Sequence, residues 1–329
     1  MQALVVPNNH CRQINELTIT DVPTPQPGPQ EVLIKVHAVG LNPVDYKIVE
    51  SGITDWTFPH VLGLDVAGEI VAVGNEVTGY QIGDRVSGHG NLHQNGCFAE
   101  YVTALSYQLA KLPANVSYEE AAALLCGALT AYTDINRKPN LSHIHTVLVN
   151  GGAGSVGSLD IQFAQLHHLK VLTTVSTAKI NFVQQLHPDG IIDYQTENVD
   201  DRLAELTDHQ GVDLIINTVG KAEATKDLHR LAYNGTLVAI VDLPEINPDL
   251  MFDHALNVAT VNLGGAHLSN NPTQMRDLGK MNAEVLQLVS QGKIDPLIEQ
   301  VLPFSDIQKG LTMIKNHDVK GKLVVQIHN

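Results

Sequence analysis

Three glycines in the middle of the chain are spaced as in a phosphate-binding turn. Gly152, Gly154 and Gly157 lie in the stretch VNGGAGSVGSLDIQFA and match the pattern G-x-G-x-x-G. An apolar run precedes the turn and helical apolar spacing follows it, which is the context that a dinucleotide requires. The first glycine permits a tight turn, the second lets backbone N–H groups approach a pyrophosphate, and the third allows close helix–sheet packing. The alternative is a tight turn that binds nothing.

The next strand indicates which dinucleotide this turn would hold. An NAD site usually places Asp or Glu about 20 residues after the turn, where it binds the ribose 2′-hydroxyl. Here the strand KVLTTVS ends in Ser176, and Lys179 follows with no acid between them. A hydroxyl and an ammonium attract a 2′-phosphate, so these residues favour NADPH. The alternative is that Lys179 is an ordinary exposed lysine.

A second stretch, LNPVDYKIVESG, has polar residues at the start of a predicted helix. Asn42 suits the N-cap, Pro43 the first helical position and Asp45 the acid of a capping box. Gly52 can end the helix. Helix capping alone explains these residue types, so a chemical role needs a further argument.

The surrounding sequence predicts how these stretches are positioned. The first third is rich in short β-branched runs separated by Gly, Pro and Asn, and the middle alternates apolar strands with helices. Nearly continuous apolar strands predict a parallel sheet covered on both faces. The final run KLVVQI is expected to pair with the first domain. We therefore predict an α/β protein, with a β-rich domain at 1–125 and 272–329 and a nucleotide domain at 126–271.

Composition excludes several classes of protein. The 329 residues carry a formal net charge of −15, which opposes binding to nucleic acid or to an anionic membrane. The first residues lack a basic stretch followed by a long apolar run, so no signal peptide is expected. No apolar run reaches about 18 residues, so no membrane span is expected either. Three scattered cysteines do not form a disulfide framework, which favours the cytoplasm.

Several motifs in order along the chain resemble the medium-chain dehydrogenase/reductases. They are GLDVAGEIVAVGNEVTGYQIGDRV, FAEY, GALTAY, GGAGSVG and GKLVVQI. Within that family the chain resembles the zinc-free quinone oxidoreductase branch, which includes zeta-crystallin-like proteins and enone reductases. The resemblance implies a GroES-like substrate domain, a Rossmann cofactor domain and an active site in the cleft between them.

The positions of the catalytic zinc ligands can be compared one by one. Metal-dependent members of the family carry Cys, His and Cys, and the corresponding residues here are Asn42, Leu64 and Cys126. A single thiol beside an amide and a leucine does not provide the three protein ligands that zinc needs. We therefore expect no metal, and Cys126 is interpreted as a small buried residue.

The resemblance implies catalytic roles in LNPVDYK. Asn42 can donate a hydrogen bond to a carbonyl oxygen, and Asp45 can fix that geometry or contact the nicotinamide ribose. Lys47 can stabilise a developing enolate or bind cofactor. Tyr46, Lys47 and water all remain open as the source of the proton.

Further cofactor contacts are also implied by the resemblance. Thr130 is expected near the nicotinamide and Tyr194 beside the adenosine. Val219, Val241 and Leu263 are expected to line the nicotinamide slot, although apolar residues at strand ends are often simply core. The turn itself contributes Gly152, Ala153, Gly154, Ser155, Val156 and Gly157.

These observations predict an NADPH-dependent, zinc-independent reductase of quinones or α,β-unsaturated carbonyls. Oxidation of an alcohol needs a Lewis acid or a base that assists hydride departure, whereas an activated acceptor can take a hydride with the help of hydrogen-bond donors alone. The alternatives are an alcohol dehydrogenase and a catalytically idle NADPH-binding sensor or structural protein. A homodimer is expected from the resemblance and from the apolar run ATVNLGGA near the sheet edge.

Overall fold

Contacts within the chain divide it into two units. The computed structural model describes residues 1–328. Unit 1 holds Met1–Leu129 and the described residues from Leu263 onward, and unit 2 holds Thr130–Asn262.

The strands and helices follow the predicted alternation closely. The strands are β1 Gln2–Val6, β2 Thr18–Asp21, β3 Glu31–Gly40, β4 His60–Val61, β5 Asp65–Val73, β6 Arg85–His89, β7 Tyr101–Leu105, β8 Ala110–Lys111, β9 Thr146–Asn150, β10 Lys170–Val175, β11 Gly190–Asp193, β12 Val212–Asn217, β13 Leu231–Ala239, β14 Asn257–Thr260, β15 Ile298–Pro303 and β16 Lys322–Gln326. The helices are α1 Pro43–Ser51, α2 Tyr118–Asn136, α3 Gly157–Leu166, α4 Ile180–Gln184, α5 Val199–Leu206, α6 Lys221–Arg230, α7 Pro248–Asp253, α8 Gly264–Leu268, α9 Pro272–Ser290 and α10 Ile307–Lys315.

Unit 1 is built on two β-sheets. The smaller has the order β2-β1-β4, and the larger has the order β15-β16-β3-β5-β6-β8, with β7 also paired to β3. The C-terminal strand β16 pairs antiparallel with β3, with Val324 opposite Gly40. This confirms that KLVVQI returns to the first domain.

The core of unit 1 comes from the inward-facing residues of these strands. Val32, Ile34 and Val36 on β3 alternate along the strand and are fully buried. They form one apolar cluster with residues of α1 and β16, such as Val49 and Val325. This cluster fixes the sheet that carries the polar residues described below.

Unit 2 is a parallel sheet with connecting helices. Its strand order is β11-β10-β9-β12-β13-β14, and every neighbouring pair is parallel. Counted within the unit, this is the order 3-2-1-4-5-6 of a Rossmann fold, which binds ligands at the carboxyl ends of its strands. The predicted fold class, a GroES-like β-rich domain plus a Rossmann domain, is confirmed.

Two features differ from the sequence interpretation or extend it. The run ATVNLGGA is a strand only as far as Thr260, and α8 begins at Gly264. The long helix α2, which contains GALTAY, runs across the division between the units at Leu129 and Thr130.

Within the described residues, no helix combines the length and the apolar character that a bilayer crossing needs.

Candidate active site

The glycine-rich turn joins β9 to α3, as predicted. The residue in the left-handed region is Gly151, with a φ of 81°, so it is this residue that makes the sharp reversal possible. Gly152 is required for a different reason, because a Cβ there would lie 2.0 Å from the Thr173 side-chain oxygen. Gly157 closes the turn, where a Cβ would lie 2.5 Å from the Gly151 carbonyl oxygen.

Gly154 differs from the other two glycines of the pattern. It is exposed, and a Cβ built on it would meet only the Gly151 oxygen, at an ordinary 3.5 Å. Packing within the chain therefore does not require glycine here. The open surface suits a group that approaches the backbone from outside, and α3 begins three residues later, at Gly157. The turn thus fits a dinucleotide pyrophosphate. Of its other residues, Ala153 is buried, whereas Ser155 and Val156 are half-buried.

Near the end of β10, the structure places an acid from the neighbouring strand that sequence reasoning missed. Ser176 precedes a short 3-10 turn that ends at Lys179, and both residues are half-buried. Asp193, at the end of the neighbouring strand β11, accepts hydrogen bonds from the Thr177 hydroxyl at 2.5 Å and from the Gln195 N–H at 3.0 Å. The Thr177 hydrogen bond is the main reason that the pKa of Asp193 is lowered. Asp193, at the end of β11, therefore stabilises the turn that follows β10. The sequence spacing along β10 does not show this contact, because Asp193 comes from a different strand.

Apolar side chains lie exposed beyond the carboxyl ends of three strands. Tyr194 is 53 % exposed, Val219 57 % and Val241 40 %. The alternative that the two valines are core residues is therefore wrong. Thr130 and Leu263 are buried, and Leu263 belongs to unit 1.

Behind these strand ends, four polar side chains form what we call the arginine cluster: Asn150, Asn217, Asp227 and Arg230. Both asparagines donate to the Asp227 carboxylate, Asn150 at 2.8 Å and Asn217 at 2.6 Å. Arg230 Nη1 lies 2.8 Å from the same carboxylate. Asn217 also accepts from the N–H groups of Val219 and Gly220 and so shapes the turn after β12.

The arginine cluster had a sequence signal that was not used. The strands β9 and β12 both end in asparagine, and these two residues are register partners in the sheet. An amide at the end of each of two adjacent apolar strands indicates a shared buried acceptor, which is Asp227.

In unit 1, the stretch LNPVDYK forms the start of α1, as predicted. Asn42 is the N-cap, Pro43 follows it, and Gly52 ends the helix with a φ of 73°. The Asp45 carboxylate accepts from the backbone N–H of Asn42 at 2.8 Å. The predicted helix and its capping acid are therefore confirmed.

The Asn42 side chain has partners from distant parts of the chain. Its oxygen accepts from Lys322 Nζ at 2.6 Å, and its amide nitrogen donates to Asp65 at 2.8 Å. Lys322 and Asp65 form an ion pair of 3.0 Å in which both side chains are buried. The Asp65 carboxylate also accepts from the backbone N–H of Cys126 at 3.0 Å. We call Asn42, Asp45, Asp65 and Lys322 the lysine cluster.

Burial alters the protonation of this cluster. It raises the pKa of Asp45 to about 8, and the neighbouring Asp65 adds to the effect, whereas the Asn42 N–H and Lys322 oppose it. Asp45 is therefore largely protonated near neutral pH. Its Oδ1 atom is buried and has no hydrogen-bond partner among the described residues.

Tyr46 and Lys47 do not join the lysine cluster. Tyr46 is buried in the apolar core of unit 1, and this burial raises the pKa of its phenol. Lys47 is exposed on α1. Of the four predicted catalytic residues, the structure brings only Asn42 and Asp45 together.

Sequence reasoning missed Asp65 and Lys322, although both lie in motifs that it quoted. Each is a charged residue at the start of a buried strand, in GLDVAG and GKLVVQI respectively. Charged side chains are rarely buried unless they are paired, so two such positions of opposite sign indicate a possible pair.

The positions of the family's zinc ligands do not provide a zinc site here. Asn42 bonds to Asp65 and Lys322, Leu64 is a buried apolar residue, and the Cys126 side chain is half-buried. Burial raises the pKa of the Cys126 thiol, which opposes formation of the thiolate that zinc binds. Across residues 1–328, no group of three or more His, Cys, Asp or Glu side chains is arranged to hold a metal ion.

Comparisons with known proteins agree with this architecture. Residues 28–114 match the family model of the alcohol dehydrogenase GroES-like domain, and residues 186–325 match that of zinc-binding dehydrogenases. The chain is 30 % identical over 306 residues to a quinone oxidoreductase-like protein 2 homolog of Nematostella vectensis, which covers 91 % of this chain and 82 % of that protein. It is 32 % identical over 322 residues to a 2-methylene-furan-3-one reductase of Solanum lycopersicum, covering 93 % and 74 %.

A solved structure extends the likeness to three dimensions. A mycobacterial protein solved in complex with NADPH superposes with a TM-score of 0.86 at 29 % identity and covers 99 % of this chain and 100 % of that one. The identity and coverage of the two relatives, together with the matched domains, establish the family. The chain belongs to the medium-chain dehydrogenase/reductase superfamily, and quinone oxidoreductase-like proteins are among its relatives.

Proposed function

We propose that this protein is an NADPH-dependent, zinc-independent oxidoreductase that reduces quinones or α,β-unsaturated carbonyls by hydride transfer. In this proposal residues 126–271 form the cofactor domain, and residues 1–125 with 272–329 form the substrate domain. The observation that carries the proposal is the open backbone surface at Gly154, at the head of α3, where a pyrophosphate can contact backbone N–H groups.

The remaining cofactor contacts follow from the strand ends. Ser176 and Lys179 are proposed to bind the 2′-phosphate and Tyr194 to contact the adenosine. Val219 and Val241 are proposed to contact the nicotinamide, and their exposure supports this. Thr130 and Leu263 are kept as proposed contacts. A similar mycobacterial protein binds NADPH, which supports this choice of cofactor.

Substitution of two neighbouring glycines tests the cofactor site. Gly154→Ala is expected to weaken NADPH and NADH binding about tenfold, or ~1.4 kcal/mol, because the methyl group holds the pyrophosphate away from the backbone. Its melting temperature should stay near wild type, since the nearest atom is 3.5 Å from the new Cβ. Gly152→Ala should instead destabilise unit 2. Unchanged cofactor binding in Gly154→Ala would exclude this turn as the pyrophosphate site.

A bound reduced nicotinamide supplies a hydride to the electron-poor carbon of the acceptor. The lysine cluster holds the Asn42 amide in one orientation through Asp65 and Lys322. Its second N–H makes only a long contact of 3.5 Å with the Gly40 carbonyl oxygen, which an acceptor oxygen can replace. Burial of Tyr46 in the apolar core and exposure of Lys47 support water as the source of the proton.

An acceptor panel tests the reaction itself. We expect NADPH oxidation with 1,4-quinones, short alkenals or cyclic enones, and no loss of rate after treatment with a chelator. NADPH binding without oxidation by any acceptor would favour the idle binding protein. NADP⁺-dependent oxidation of alcohols, or one tightly held zinc per chain, would favour an alcohol dehydrogenase.

We also propose a homodimer built on unit 2. Within the described sheet, β14 is an edge strand that pairs on one side only, with β13. The segments before it expose Leu243, Ile246 and Phe252, the last of these at 87 %. An unprotected edge beside an apolar surface favours pairing with a second copy across a two-fold axis. A monomeric mass by light scattering at micromolar concentration would contradict this.

A further inference from the structure

Two buried histidines from distant parts of the sequence meet in unit 1. His89 ends β6 and His267 lies on α8, and their rings are stacked with centroids 5.6 Å apart. His89 Nδ1 lies 3.3 Å from His267 Nε2. The two residues are 4 % and 3 % exposed, so this contact is shielded from solvent.

Both rings are neutral near pH 7. Burial is the main cause that lowers the pKa of each, and it lowers that of His267 to about 4. A neutral imidazole carries one N–H and one acceptor nitrogen, so the pair shares a single hydrogen. The 3.3 Å contact allows two arrangements. If His89 Nδ1 donates that hydrogen, His267 carries its own hydrogen on Nδ1, whereas if His267 Nε2 donates it, His267 Nδ1 is an acceptor.

His267 Nδ1 is buried and has no hydrogen-bond partner among the described residues. Buried polar atoms of native proteins almost always have one, so the missing partner calls for an explanation. Where His267 carries its hydrogen on Nδ1, an acceptor atom of a bound small molecule would supply that partner.

The histidine pair adjoins the lysine cluster. His89 is the register partner of Asp65 in the antiparallel pair of β5 and β6, and directly opposed residues project from the same face of a sheet. Asp65 and Lys322 both act electrostatically on His89. The unpaired nitrogen of His267 therefore belongs to the same polar region as Asn42.

We infer that His267 is a catalytic residue whose Nδ1–H donates a hydrogen bond to the carbonyl oxygen of the acceptor, and that His89 is a positioning residue that fixes its tautomer. This inference rests on the proposed function, whose acceptors all carry a carbonyl oxygen.

The β-carbon of an enone gains a hydride, which is a proton with two electrons, from the reduced nicotinamide. The C=C pair shifts to form an enolate, and the nicotinamide is left oxidised. The His267 N–H stabilises the enolate oxygen without losing its proton, because a neutral imidazole acts as a hydrogen-bond donor. Water supplies the proton that completes the saturated carbonyl.

Two substitutions of His267 separate its two nitrogens. An Asn side chain can place an amide N–H near the Nδ1 position, whereas a Gln side chain reaches the Nε2 position. We expect His267→Gln to lower kcat about 10²-fold, as for loss of one oxyanion donor, with unchanged NADPH affinity. His267→Asn should retain most of kcat. Equal rates in both variants, whether high or low, would overturn the assignment to Nδ1.

His60→Gln is the matched control. His60 is also buried and stacked on a ring, that of Trp56 at 4.2 Å, and burial lowers its pKa to about 4. It should change kcat little. A loss equal to that of His267→Gln would show a general effect of removing buried histidines and would overturn the inference.

A measurement without turnover keeps the inference separate from the proposed function. Nitrogen-15 NMR of the free protein should show His267 protonated on Nδ1, and cyclohexanone, but not methylcyclohexane, should shift that resonance. Protonation on Nε2, or no shift with cyclohexanone, would overturn the inference even if the protein reduces enones. The expected shift in a protein that oxidises no NADPH would support the contact and contradict the proposed reaction instead.

Discussion

Each unit contains one buried cluster in which an asparagine, an aspartate and a cation meet, yet the two clusters differ in completeness. In the arginine cluster of unit 2, every buried side-chain polar atom has a hydrogen-bond partner among the described residues. The lysine cluster of unit 1 contains an unpartnered Asp45 oxygen, and the unpartnered nitrogen of His267 lies in the same region.

This difference indicates different tasks. A fully bonded network holds a shape, and the arginine cluster holds the turn that carries Val219 and Gly220. An incompletely bonded network costs stability, and a protein retains it where a ligand completes it. We therefore expect the arginine cluster to affect stability and cofactor affinity, and the lysine cluster to affect turnover as well.

Removal of the buried lysine should have the largest effect. Lys322→Met leaves the buried Asp65 side chain without its cation, so the free energy of unfolding should fall by about 3–5 kcal/mol. Urea denaturation measures this. The exposed Lys309, whose ion pair with Asp306 spans 3.7 Å, provides the control, and Lys309→Met should change stability by less than about 1 kcal/mol. Similar losses in both variants would contradict the buried ion pair.

The corresponding change in the arginine cluster should cost less. Arg230→Met removes the cation that pairs with Asp227, Glu223 and Asp200. Because Asp227 keeps the donors from Asn150 and Asn217, and the other two carboxylates are accessible to solvent, we expect a loss of about 2–3 kcal/mol. The kcat of the folded protein should not change. A tenfold fall in kcat at full cofactor saturation would contradict the expectation that the arginine cluster does not affect turnover. Lys221→Met, which affects only an exposed ion pair with Glu245, is the control.

Cofactor choice should depend on a residue outside both clusters. Lys179→Ala should weaken NADPH binding by about 1–2 kcal/mol, because a charge-assisted contact to the 2′-phosphate is lost. NADH binding should change little, as fluorescence titration can show. Lys221→Ala, at an exposed lysine paired with Glu245, should affect neither cofactor. Equal losses for NADPH and NADH in Lys179→Ala would show that Lys179 does not contact the 2′-phosphate.

The pH dependence of stability should report the protonation of Asp45. The folded pKa of Asp45, about 8, lies above the unfolded value of 3.8, so the folded state binds more protons between these values. The contribution of Asp45 to stability therefore falls as pH rises from about 4 to about 8. Asp45→Asn should flatten the plot of melting temperature against pH, and the variant should become more stable relative to wild type as pH rises from 5 to 8. Parallel melting curves across that window would contradict the raised pKa.

Asn42 shows where sequence reasoning reached its limit. From the sequence, Asn42→Ser keeps a capping oxygen and should leave stability unchanged. In the structure the side chain forms hydrogen bonds with Asp65 and Lys322, so we expect Asn42→Ser to lower the stability of the protein as well as its kcat. The capping position was predictable because it depends on neighbours in sequence, whereas these partners lie 23 and 280 residues away.

The sequence by itself determined the local elements, the parallel sheet, the return of the C-terminal strand and the glycine turn. Periodicity, capping residues and glycine spacing act over a few residues, so they can be interpreted without knowledge of the fold. Only the tertiary structure decided that Tyr46 lies in the core, that Asp65 and Lys322 pair beside Asn42, and that His89 meets His267. Those contacts depend on strand register and on the docking of distant segments, because burial sets both the partners and the pKa values of polar side chains.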